Sequence, residues 1–312
     1  MIVVTGGNGF LGSHIVNKLK ERDLPVRVLV RDLNQAKIEG RLNGLDIEYI
    51  EGDVTKPDTL LPAFRNASAV IHTVAIAVEK KHLTYEAVNT TGTKNVIDQL
   101  EASGPPRLIN ISQLGAKPDL PYRFLASKGK AEKLVSKSKL EWTTFKPSVI
   151  WGPEDEFANT FARLAKITPL IFPIISKDAQ FQPIWVNDVA DAVVKSLDEK
   201  KTIRNTFELG GPEVLTLYEI ERRTLEATGV NRIFIPFPMP ILKIVVRIME
   251  NILPSLPVTS SLLELLAVDN VTSSNDTYQF TSQPRHFMPE NTAKYMKEFS
   301  ITSTINQYLG RN

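Results

Sequence analysis

Glycines at positions 6, 9 and 12 form the first pattern with a chemical use, in the segment TGGNGFLG at residues 5–12. Gly6 permits a tight turn, Gly9 lets the backbone approach a pyrophosphate, and Gly12 lets a helix pack closely on a strand. Backbone N–H groups at the positive end of that helix would then face the phosphates. The pattern predicts a dinucleotide site, with candidate residues Gly6, Asn8, Gly9, Phe10, Leu11 and Gly12.

The charge at the end of the second predicted strand indicates which dinucleotide would bind. Arg31 is the first residue after Val26–Val30, and Asp32 follows it. An arginine here accommodates a 2′-phosphate, whereas an acidic residue accepts a hydrogen bond from the ribose 2′-hydroxyl. Because Arg31 supplies a planar fork suited to phosphate and Lys37 adds charge nearby, NADP(H) is favoured over NAD(H). The alternative is a solvated Arg31, with Asp32 contacting NAD.

Asp53 and Val54 follow the third predicted strand, in the segment Gly52-Asp53-Val54. Ligands of open α/β folds bind at the carboxyl edge of the sheet. There, Asp53 can accept a hydrogen bond from the adenine amino group while Val54 packs on the ring. Taken alone, Asp53 is equally well explained as a turn residue or a helix N-cap.

The elements that would position these residues alternate between short β-rich runs and helical patterns. The predicted strands are Ile2–Thr5, Val26–Val30, Ile47–Ile50, Ala69–His72, Leu108–Ser112 and Thr143–Phe145. Helical patterns lie at about 10–22, 57–65, 82–103 and 123–138. Strands separated by helices imply right-handed crossovers. The predicted fold class is therefore α/β, a Rossmann-type parallel sheet with helices on both faces.

Beyond residue 150 the alternation becomes irregular. Helical patterns at about 155–167 and 187–199 flank the stretch Phe181–Val186, and Thr206–Leu209 could return to the first sheet. We expect a dinucleotide-binding Rossmann domain and a smaller, mostly helical substrate or partner domain. The predicted boundaries are 1–150, rejoined by 181–212, for the first domain, and 151–180 with 213–312 for the second.

Composition excludes several classes of protein. Lys and Arg number 37 against 35 Asp and Glu, so the net charge of +2 gives no electrostatic case for nucleic acid. The chain has no cysteine and only four scattered histidines, so no disulfide or metal site is expected. It opens on an apolar strand without a basic leader, and its most apolar stretch is broken by prolines and charges. These features predict a cytoplasmic protein without a transmembrane helix, and they leave peripheral membrane association open.

Motifs along most of the chain resemble the extended or atypical short-chain dehydrogenase/reductases of the NAD-dependent epimerase/dehydratase superfamily. In the first half they are TGGNGFLG, VLVRD, EGDV, AVIHTVA and AVNTTGTKNV. FKPSVIWGPEDEFANTFARLA, FQPIWVNDVADAV and FELGGPEVLTLYEI follow in the family's order, so the resemblance covers about 1–275. Together with the segment LPVTSSLLELLAVDNV near 256–271, these motifs are most similar to those of one branch of the superfamily. That branch contains the NADPH-binding accessory subunit of respiratory complex I and its prokaryotic relatives.

The resemblance implies a catalytic Tyr and Lys four residues apart on one helix, with a Ser or Thr at a strand end. In such a pair the ammonium lowers the pKa of the phenol, which exchanges a proton with substrate. Lys128 matches the lysine, but Phe124 occupies the tyrosine position. Tyr122 would reach the site only from a loop before the helix, which Pro121 permits. With Ser112 at the end of its strand, the catalytic candidates are Lys128, Ser112 and Tyr122, and ordinary turnover is in doubt.

The same resemblance implies further cofactor contacts. The ammonium of Lys128 would bond the nicotinamide ribose hydroxyls, although a surface lysine in a charged run is the alternative. Asn89 resembles the family's asparagine that supports this site, and Pro147 and Val149 would form the wall near the carboxamide.

The segment 239–253 has a wider apolar arc than an ordinary surface helix needs. Lys243, Arg247, Glu250 and Asn251 form its one polar stripe. One interpretation is a helix buried in the C-terminal domain. The other, which the complex I resemblance implies, is a surface that binds a partner protein or a membrane face.

Two functional hypotheses follow from the sequence. The first is an NADP(H)-binding protein with weak or no oxidoreductase turnover, in which the nucleotide is a structural or sensing ligand. Such a protein would serve as an accessory or assembly factor of a respiratory-type complex. The alternative is an active NAD(P)H-dependent reductase or epimerase acting on a small carbonyl, nucleotide-sugar or quinone-like substrate. In that case Tyr122 or a substrate-bound water would replace the missing phenol.

Overall fold

Two compact units make up the chain in the computed structural model, which describes residues 1–80, 83–252 and 259–308. Unit 1 comprises Met1–Pro147, Val186–Leu209 and Ser274–Gln283, and unit 2 comprises Ser148–Trp185, Gly210–Ser273 and Pro284–Asn312. The inclusion of Ser274–Gln283 in unit 1 had no counterpart in the sequence pattern.

A seven-stranded parallel sheet forms the centre of unit 1. Its strands are β1 (Ile2–Thr5), β2 (Val26–Val30), β3 (Glu48–Glu51), β4 (Ala69–His72), β5 (Arg107–Ile111), β6 (Glu141–Pro147) and a last strand, Asn205–Leu209. Their spatial order is β3-β2-β1-β4-β5-β6 and then the last strand, with every pair parallel. The predicted Rossmann-type fold is confirmed. The return of Thr206–Leu209 to the sheet is also observed, because Phe207 pairs with Phe145 of β6.

The central strands β1 and β4 are buried along their whole length. Parallel strands that are covered on both faces consist of continuous apolar residues. Their positions could therefore be predicted from the sequence. The strand order reverses between β1 and β4, and the loops that follow these two strands therefore diverge. This divergence leaves a crevice at the carboxyl edge of the sheet.

Helices pack around this sheet. They are α1 (Phe10–Lys20), α2 (Leu33–Glu39), α3 (Leu60–Phe64), α4 (Gly92–Ser103), α5 (Arg123–Lys137), Val186–Ser196 and the short Thr277–Phe280. Two predicted helices differ in detail. The pattern at 57–65 is a 3₁₀ turn, Pro57–Thr59, followed by α3, and the pattern at 82–103 is a π-helical turn, Glu86–Thr91, followed by α4. Residue 82 lies outside the described residues.

Unit 2 is mostly helical and also contains three short strand pairs. Its helices are Ala158–Ile167, Leu217–Thr228, Met239–Ile252, Ser260–Leu265, Pro289–Met296 and Ile301–Tyr308. The strand pairs are Ile150–Trp151 with Ile184–Trp185, Gln180–Phe181 with Leu215–Thr216, and Ile171–Ile174 with Ile233–Pro236. Within the described ranges, no helix has both the length and the apolar composition needed to cross a membrane.

Asp155 explains why the first helix of unit 2 begins later than the pattern at 155–167 predicts. Its carboxylate Oδ1 accepts hydrogen bonds from the backbone N–H groups of Phe157 and Asn159, at 2.8 and 3.1 Å. Oδ2 accepts from the N–H of Gly152 at 3.0 Å. These bonds close a turn ahead of the helix, which starts at Ala158.

Candidate functional site

A cavity of about 300 Å³ lies in unit 1 at the carboxyl edge of the sheet. The predicted residues that line it are Gly6, Asn8, Gly9, Arg31, Asp53 and Val54. The other predicted residues are not among its lining residues: Phe10, Leu11, Gly12, Lys37, Asn89, Ser112, Tyr122, Lys128, Pro147 and Val149. The cavity therefore contains the part of the predicted site assigned to the adenosine and the phosphates.

The glycine loop forms one wall of the cavity. Gly6 has φ +73°, in the left-handed region, and a Cβ there would lie 2.9 Å from Oγ1 of Thr73. A Cβ at Gly12 would lie 2.1 Å from the carbonyl oxygen of Gly6, so α1 can approach the loop this closely only without a side chain. The N–H of Gly9 donates to the same carbonyl at 2.9 Å, and α1 begins directly after Gly9. Side chains at these glycine positions would fill the space beside the loop backbone. Without them, the backbone can approach a pyrophosphate closely.

Arg31 and Asp32 occupy the end of β2, and both line the cavity. Arg31 is exposed, whereas the Oδ1 atom of Asp32 accepts a hydrogen bond from the N–H of Gln35 at 2.9 Å and caps α2. Lys37, the other predicted basic residue, lies exposed in the last turn of α2.

Asp53 forms a turn at the end of β3. Its Oδ1 atom accepts hydrogen bonds from the backbone N–H and the hydroxyl of Thr55, both at 2.8 Å. The turn interpretation of Asp53 therefore holds, and it does not conflict with a position on the cavity wall. Val54 beside it is buried against the core of unit 1.

The loop 73–76 and Arg41 are among the parts of the cavity wall that sequence reasoning missed. The loop 73–76 directly follows β4, so the rule that ligands bind at the carboxyl edge could have found it. Arg41 also lines the cavity, and its Nη1 donates to the carbonyl oxygen of Asn8 at 2.9 Å. No sequence signal marks Arg41, because its position depends on how the chain turns after α2.

Asn89 connects the cavity to helix α5. Its Oδ1 accepts from the N–H of Ile76 at 2.9 Å, and its Nδ2 donates to Oγ of Ser127 at 3.0 Å. Ile76 is a lining residue, and Ser127 precedes Lys128. Asn89 is fully buried within the π-helical turn and therefore positions two parts of the predicted site rather than lining the cavity itself.

Lys128 is buried, so the interpretation of it as a surface lysine is wrong. Its Nζ donates to the carbonyl oxygen of Ile111, at the end of β5, at 2.7 Å. Burial lowers the pKa of Lys128 to about 8, and the nearby Glu132 carboxylate opposes this shift. Burial also lowers the pKa of His72 to about 3, with a smaller effect from the charge of Lys128, so His72 is neutral.

Phe124, and not a tyrosine, lies one turn before Lys128 on α5. Phe124 packs edge-on against Tyr85, with ring centroids 5.8 Å apart. The hydroxyl of Tyr85 donates to the carbonyl oxygen of Ala77 at 2.7 Å. Tyr122 lies half-buried at the N-cap of α5.

Three other predicted residues, Ser112, Pro147 and Val149, form hydrogen bonds within their own units. The hydroxyl of Ser112 donates to Oε2 of Glu132 at 3.0 Å. The carbonyl oxygen of Pro147 accepts from the N–H of Leu114 at 2.9 Å, at the end of β6. Val149 belongs to unit 2, where its N–H donates to Oδ1 of Asn270 at 2.9 Å. In the part of the chain that the structure describes, no group of three or more His, Asp or Glu side chains could hold a metal ion.

The helix Met239–Ile252 in unit 2 buries one side and exposes the other. Val246 packs with Leu263 in a small apolar cluster. The exposed apolar residues are Ile241, Ile244, Val245 and Ile248, with exposures of 50%, 61%, 40% and 55%. The interpretation of 239–253 as a buried helix is therefore wrong for these side chains, while residue 253 lies outside the described residues.

The Rossmann-type fold and the glycine loop define a dinucleotide-binding protein, and comparison with known proteins agrees with this class. A family model described as NAD(P)H-binding matches residues 6–200. The chain belongs to this NAD(P)H-binding family, and it binds a nicotinamide dinucleotide of the NAD(P)H type.

Individual relatives are similar to this chain over 194 to 244 residues. The NADH dehydrogenase [ubiquinone] 1 alpha subcomplex subunit 9 of Mus musculus is 28% identical over 244 residues, which are 76% of this chain and 63% of the relative. A ceramide reductase of Caulobacter vibrioides is 27% identical over 194 residues, 62% of this chain and 60% of the relative. The chain thus spans about three fifths of the length of these curated relatives. The predicted resemblance to the complex I subunit is confirmed.

A solved structure extends the similarity of fold over nearly the whole chain. The UDP-glucose 4-epimerase of Thermus thermophilus, in complex with NAD, superimposes with a TM-score of 0.71 at 21% identity. The superposition covers 95% of this chain and 99% of the epimerase. At this identity the comparison shows a shared fold.

Proposed function

We propose that this chain binds NADP(H) and has weak or no oxidoreductase turnover. The observation that carries the proposal is Phe124, one turn before the buried Lys128 in a unit that also contains the cavity lined by the glycine loop. Phe124 cannot donate a proton, and its ring packs on Tyr85. Nicotinamide supplies hydride when it is bound, but reduction of a carbonyl also needs a proton at the oxygen. In this chain the position that would deliver that proton is apolar.

The proposed preference for NADP(H) is supported by the charges at the end of β2. Arg31 is exposed on the cavity wall, where a guanidinium can form two parallel hydrogen bonds with a phosphate. The N–H of Gln35 donates to Oδ1 of Asp32 and holds this carboxylate at the N-cap of α2, whereas Arg31 beside it is exposed. Calorimetric titration should give tighter binding of NADPH than of NADH, and Arg31→Ala should weaken NADPH binding selectively. Equal affinity for the two nucleotides would contradict the preference.

Turnover decides between this proposal and an active enzyme. The wild-type chain should oxidise NADPH weakly or not at all with carbonyl, quinone or sphingolipid-like ketone substrates, and any weak oxidation should not depend on Lys128. The name of the ceramide reductase relative motivates the last class. Phe124→Tyr places a phenol four residues before Lys128, so an increase in NADPH oxidation only in that variant would support the proposal. Lys128-dependent oxidation by the wild type would instead establish an active reductase, and a matched nucleotide-sugar assay tests for an epimerase.

The nucleotide would then serve as a structural or sensing ligand in an accessory or assembly factor of a respiratory-type complex. The name of the Mus musculus relative motivates this role. The surface that we propose to contact a partner protein is the exposed face of Met239–Ile252, because isolated apolar side chains are common on surfaces but a continuous helix face is not. Lys243 and Arg247 on the same helix would meet acidic groups of the partner.

Affinity purification from the source cells tests this surface. The tagged chain should carry NADH dehydrogenase subunits with it, and Ile244→Glu with Ile248→Glu should abolish that association. Val214→Glu is a matched control, because Val214 is an isolated residue of unit 2 that is 50% exposed. Binding to phosphatidylglycerol vesicles without any dehydrogenase subunit would assign the surface to a membrane face instead, and binding to neither would refute a docking role.

A further inference from the structure

We propose that Arg41 is the second arm of a two-arginine clamp on the 2′-phosphate of NADP(H), with Arg31 as the first arm. This inference rests on the proposed preference for NADP(H). It assigns phosphate recognition to a residue outside every motif of the sequence, in the loop that follows α2.

The loop after α2 fixes where Arg41 can point. Gly40 ends the helix with φ +67° and Gly44 has φ +80°, both in the left-handed region that glycine adopts without strain. Between them, Leu42 is only 3% exposed, and the N–H of Asn43 donates to the carbonyl oxygen of Gly40 at 3.1 Å. Because Leu42 anchors the loop in the core, its neighbour Arg41 is held at the surface beside the cavity.

The contact of Arg41 joins two sides of the nucleotide cavity. Its Nη1 donates to the carbonyl oxygen of Asn8, inside the glycine loop, at 2.9 Å. Arg41 and Arg31 both line the same cavity of about 300 Å³, although one follows α2 and the other follows β2. A phosphate held between the end of β2 and the glycine loop would therefore meet a guanidinium from each side.

The charge of a phosphate indicates why a guanidinium would bind it more strongly than it binds a backbone carbonyl. The carbonyl of Asn8 is a neutral acceptor, whereas a phosphate monoester carries about 1.5 to 2 negative charges and accepts charge-assisted hydrogen bonds. Two guanidinium groups around one small cavity also repel each other, and a dianion between them removes that repulsion. On binding, Arg41 would exchange the Asn8 carbonyl for phosphate oxygens, or bond both.

Lys37 provides the contrast within the same segment. It is also basic and lies four residues before Arg41, but it is exposed in the last turn of α2 and does not line the cavity. A general effect of positive charge near the site would therefore appear in Lys37 and Arg41 variants alike. A direct phosphate contact would appear only in Arg41 variants.

Calorimetric titration of the full chain with NADPH and NADH tests the clamp in the wild type and in Arg41→Ala, Arg31→Ala and Lys37→Ala. Loss of a hydrogen-bonded charge pair predicts that Arg41→Ala weakens NADPH binding about 10- to 100-fold. Binding of NADH, which has no 2′-phosphate, should change less than about threefold, and Lys37→Ala should leave both affinities near wild type. Arg41→Lys, which keeps the charge but loses the planar fork, should fall between wild type and Arg41→Ala.

The possible outcomes separate the clamp from the proposed function. If the wild type binds neither nucleotide, or prefers NADH, the proposed preference fails and the clamp fails with it. If Arg31→Ala selectively weakens NADPH binding but Arg41→Ala does not, the preference stands and the clamp is refuted. An equal loss for NADH and NADPH in Arg41→Ala also refutes it, because Arg41 would then only hold the glycine loop through Asn8. Arg41→Met retains the apolar stem and replaces Arg41→Ala if circular dichroism shows that the alanine variant is misfolded.

Discussion

Glu221 should make the stability of unit 2 depend on pH in a way that one substitution removes. This residue lies on the helix Leu217–Thr228 and is fully buried. Within the described part of the chain, neither carboxyl oxygen has a hydrogen bond of normal geometry. Burial raises the pKa of Glu221 from 4.5 to about 8, and the nearby backbone N–H of Ile175 opposes the shift only weakly. Glu221→Gln keeps the shape of the side chain and cannot ionise.

The direction of the effect follows from which state releases the proton first. In the unfolded chain Glu221 ionises near pH 4.5, whereas in the folded unit it ionises only near pH 8. Its contribution to stability is therefore complete below pH 4.5 and is lost progressively as the pH rises toward 8. Each pH unit of that window costs about 1.4 kcal/mol, so about 3 kcal/mol is lost by pH 7. That loss is a large share of the free energy of unfolding of an ordinary domain.

Urea unfolding at several pH values between 5 and 8 measures this effect, with tryptophan fluorescence as the probe. Trp151 and Trp185 lie in unit 2 with their ring centroids 4.4 Å apart, so their emission reports on that unit. The free energy of unfolding of Glu221→Gln minus that of the wild type should increase by about 2–3 kcal/mol between pH 5 and pH 7. Any cost of burying the amide is independent of pH and cancels from this increase.

A matched control is available on the same helix. Glu226 is exposed, and its carboxylate lies 3.4 Å from the guanidinium of Arg222. Exposed ion pairs of this kind contribute little to stability. The free energy of unfolding of Glu226→Gln should therefore differ from that of the wild type by a constant amount across the pH range. The difference in free energy of unfolding between Glu221→Gln and the wild type could instead stay constant from pH 5 to pH 8. That result would show that Glu221 is ionised in the folded unit and that the reasoning from burial is wrong.

Two further substitutions test the walls of the nucleotide cavity. Gly12→Ala would bring a Cβ to 2.1 Å from the carbonyl oxygen of Gly6, so the loop must shift. We expect loss of measurable NADPH binding by calorimetry and a stability loss of about 1–3 kcal/mol, and retained wild-type affinity would contradict the role of the loop. Asn89→Ala leaves the N–H of Ile76 without its acceptor and should lower the free energy of unfolding in urea by about 1–3 kcal/mol. Asn89→Asp keeps the acceptor but loses the Nδ2 donor and buries a carboxylate, so it should cost at least as much, and a loss below about 1 kcal/mol in Asn89→Ala would argue against this hydrogen bond.

The sequence predicts this fold well where structure depends on local pattern. The strands β1, β2 and β4 lie at the predicted residues, because each is a short apolar run bounded by turn residues. The glycine loop also lies where its spacing placed it, since that motif combines a turn, a close backbone approach and a helix start within eight residues.

Features that depend on distant contacts could not be predicted in the same way. The backbone N–H of Asp276 donates to the carbonyl oxygen of Glu208 at 2.8 Å, and the N–H of Glu208 donates to Oδ2 of Asp276 at 2.8 Å. These bonds connect Ser274–Gln283 to the last strand of unit 1 across 68 residues of chain. Neither hydrophobic periodicity nor the positions of turn residues predict which distant segments will pair. For the same reason, the contact of Arg41 with Asn8 could not be predicted from the sequence.

In the function that we propose, nucleotide binding and redox chemistry are separable because different kinds of group would supply them. Binding depends on backbone geometry at Gly6, Gly9 and Gly12, which the packing of α1 on the sheet already enforces. Proton transfer would depend on one phenol at position 124, where the phenyl ring of Phe124 instead packs against Tyr85. Lys128 does not need the phenol either, since the carbonyl oxygen of Ile111 accepts a hydrogen bond from its buried ammonium. Under the proposed function, a buried lysine at position 128 is therefore not by itself a sign of catalysis, and the side chain at position 124 is the feature to test.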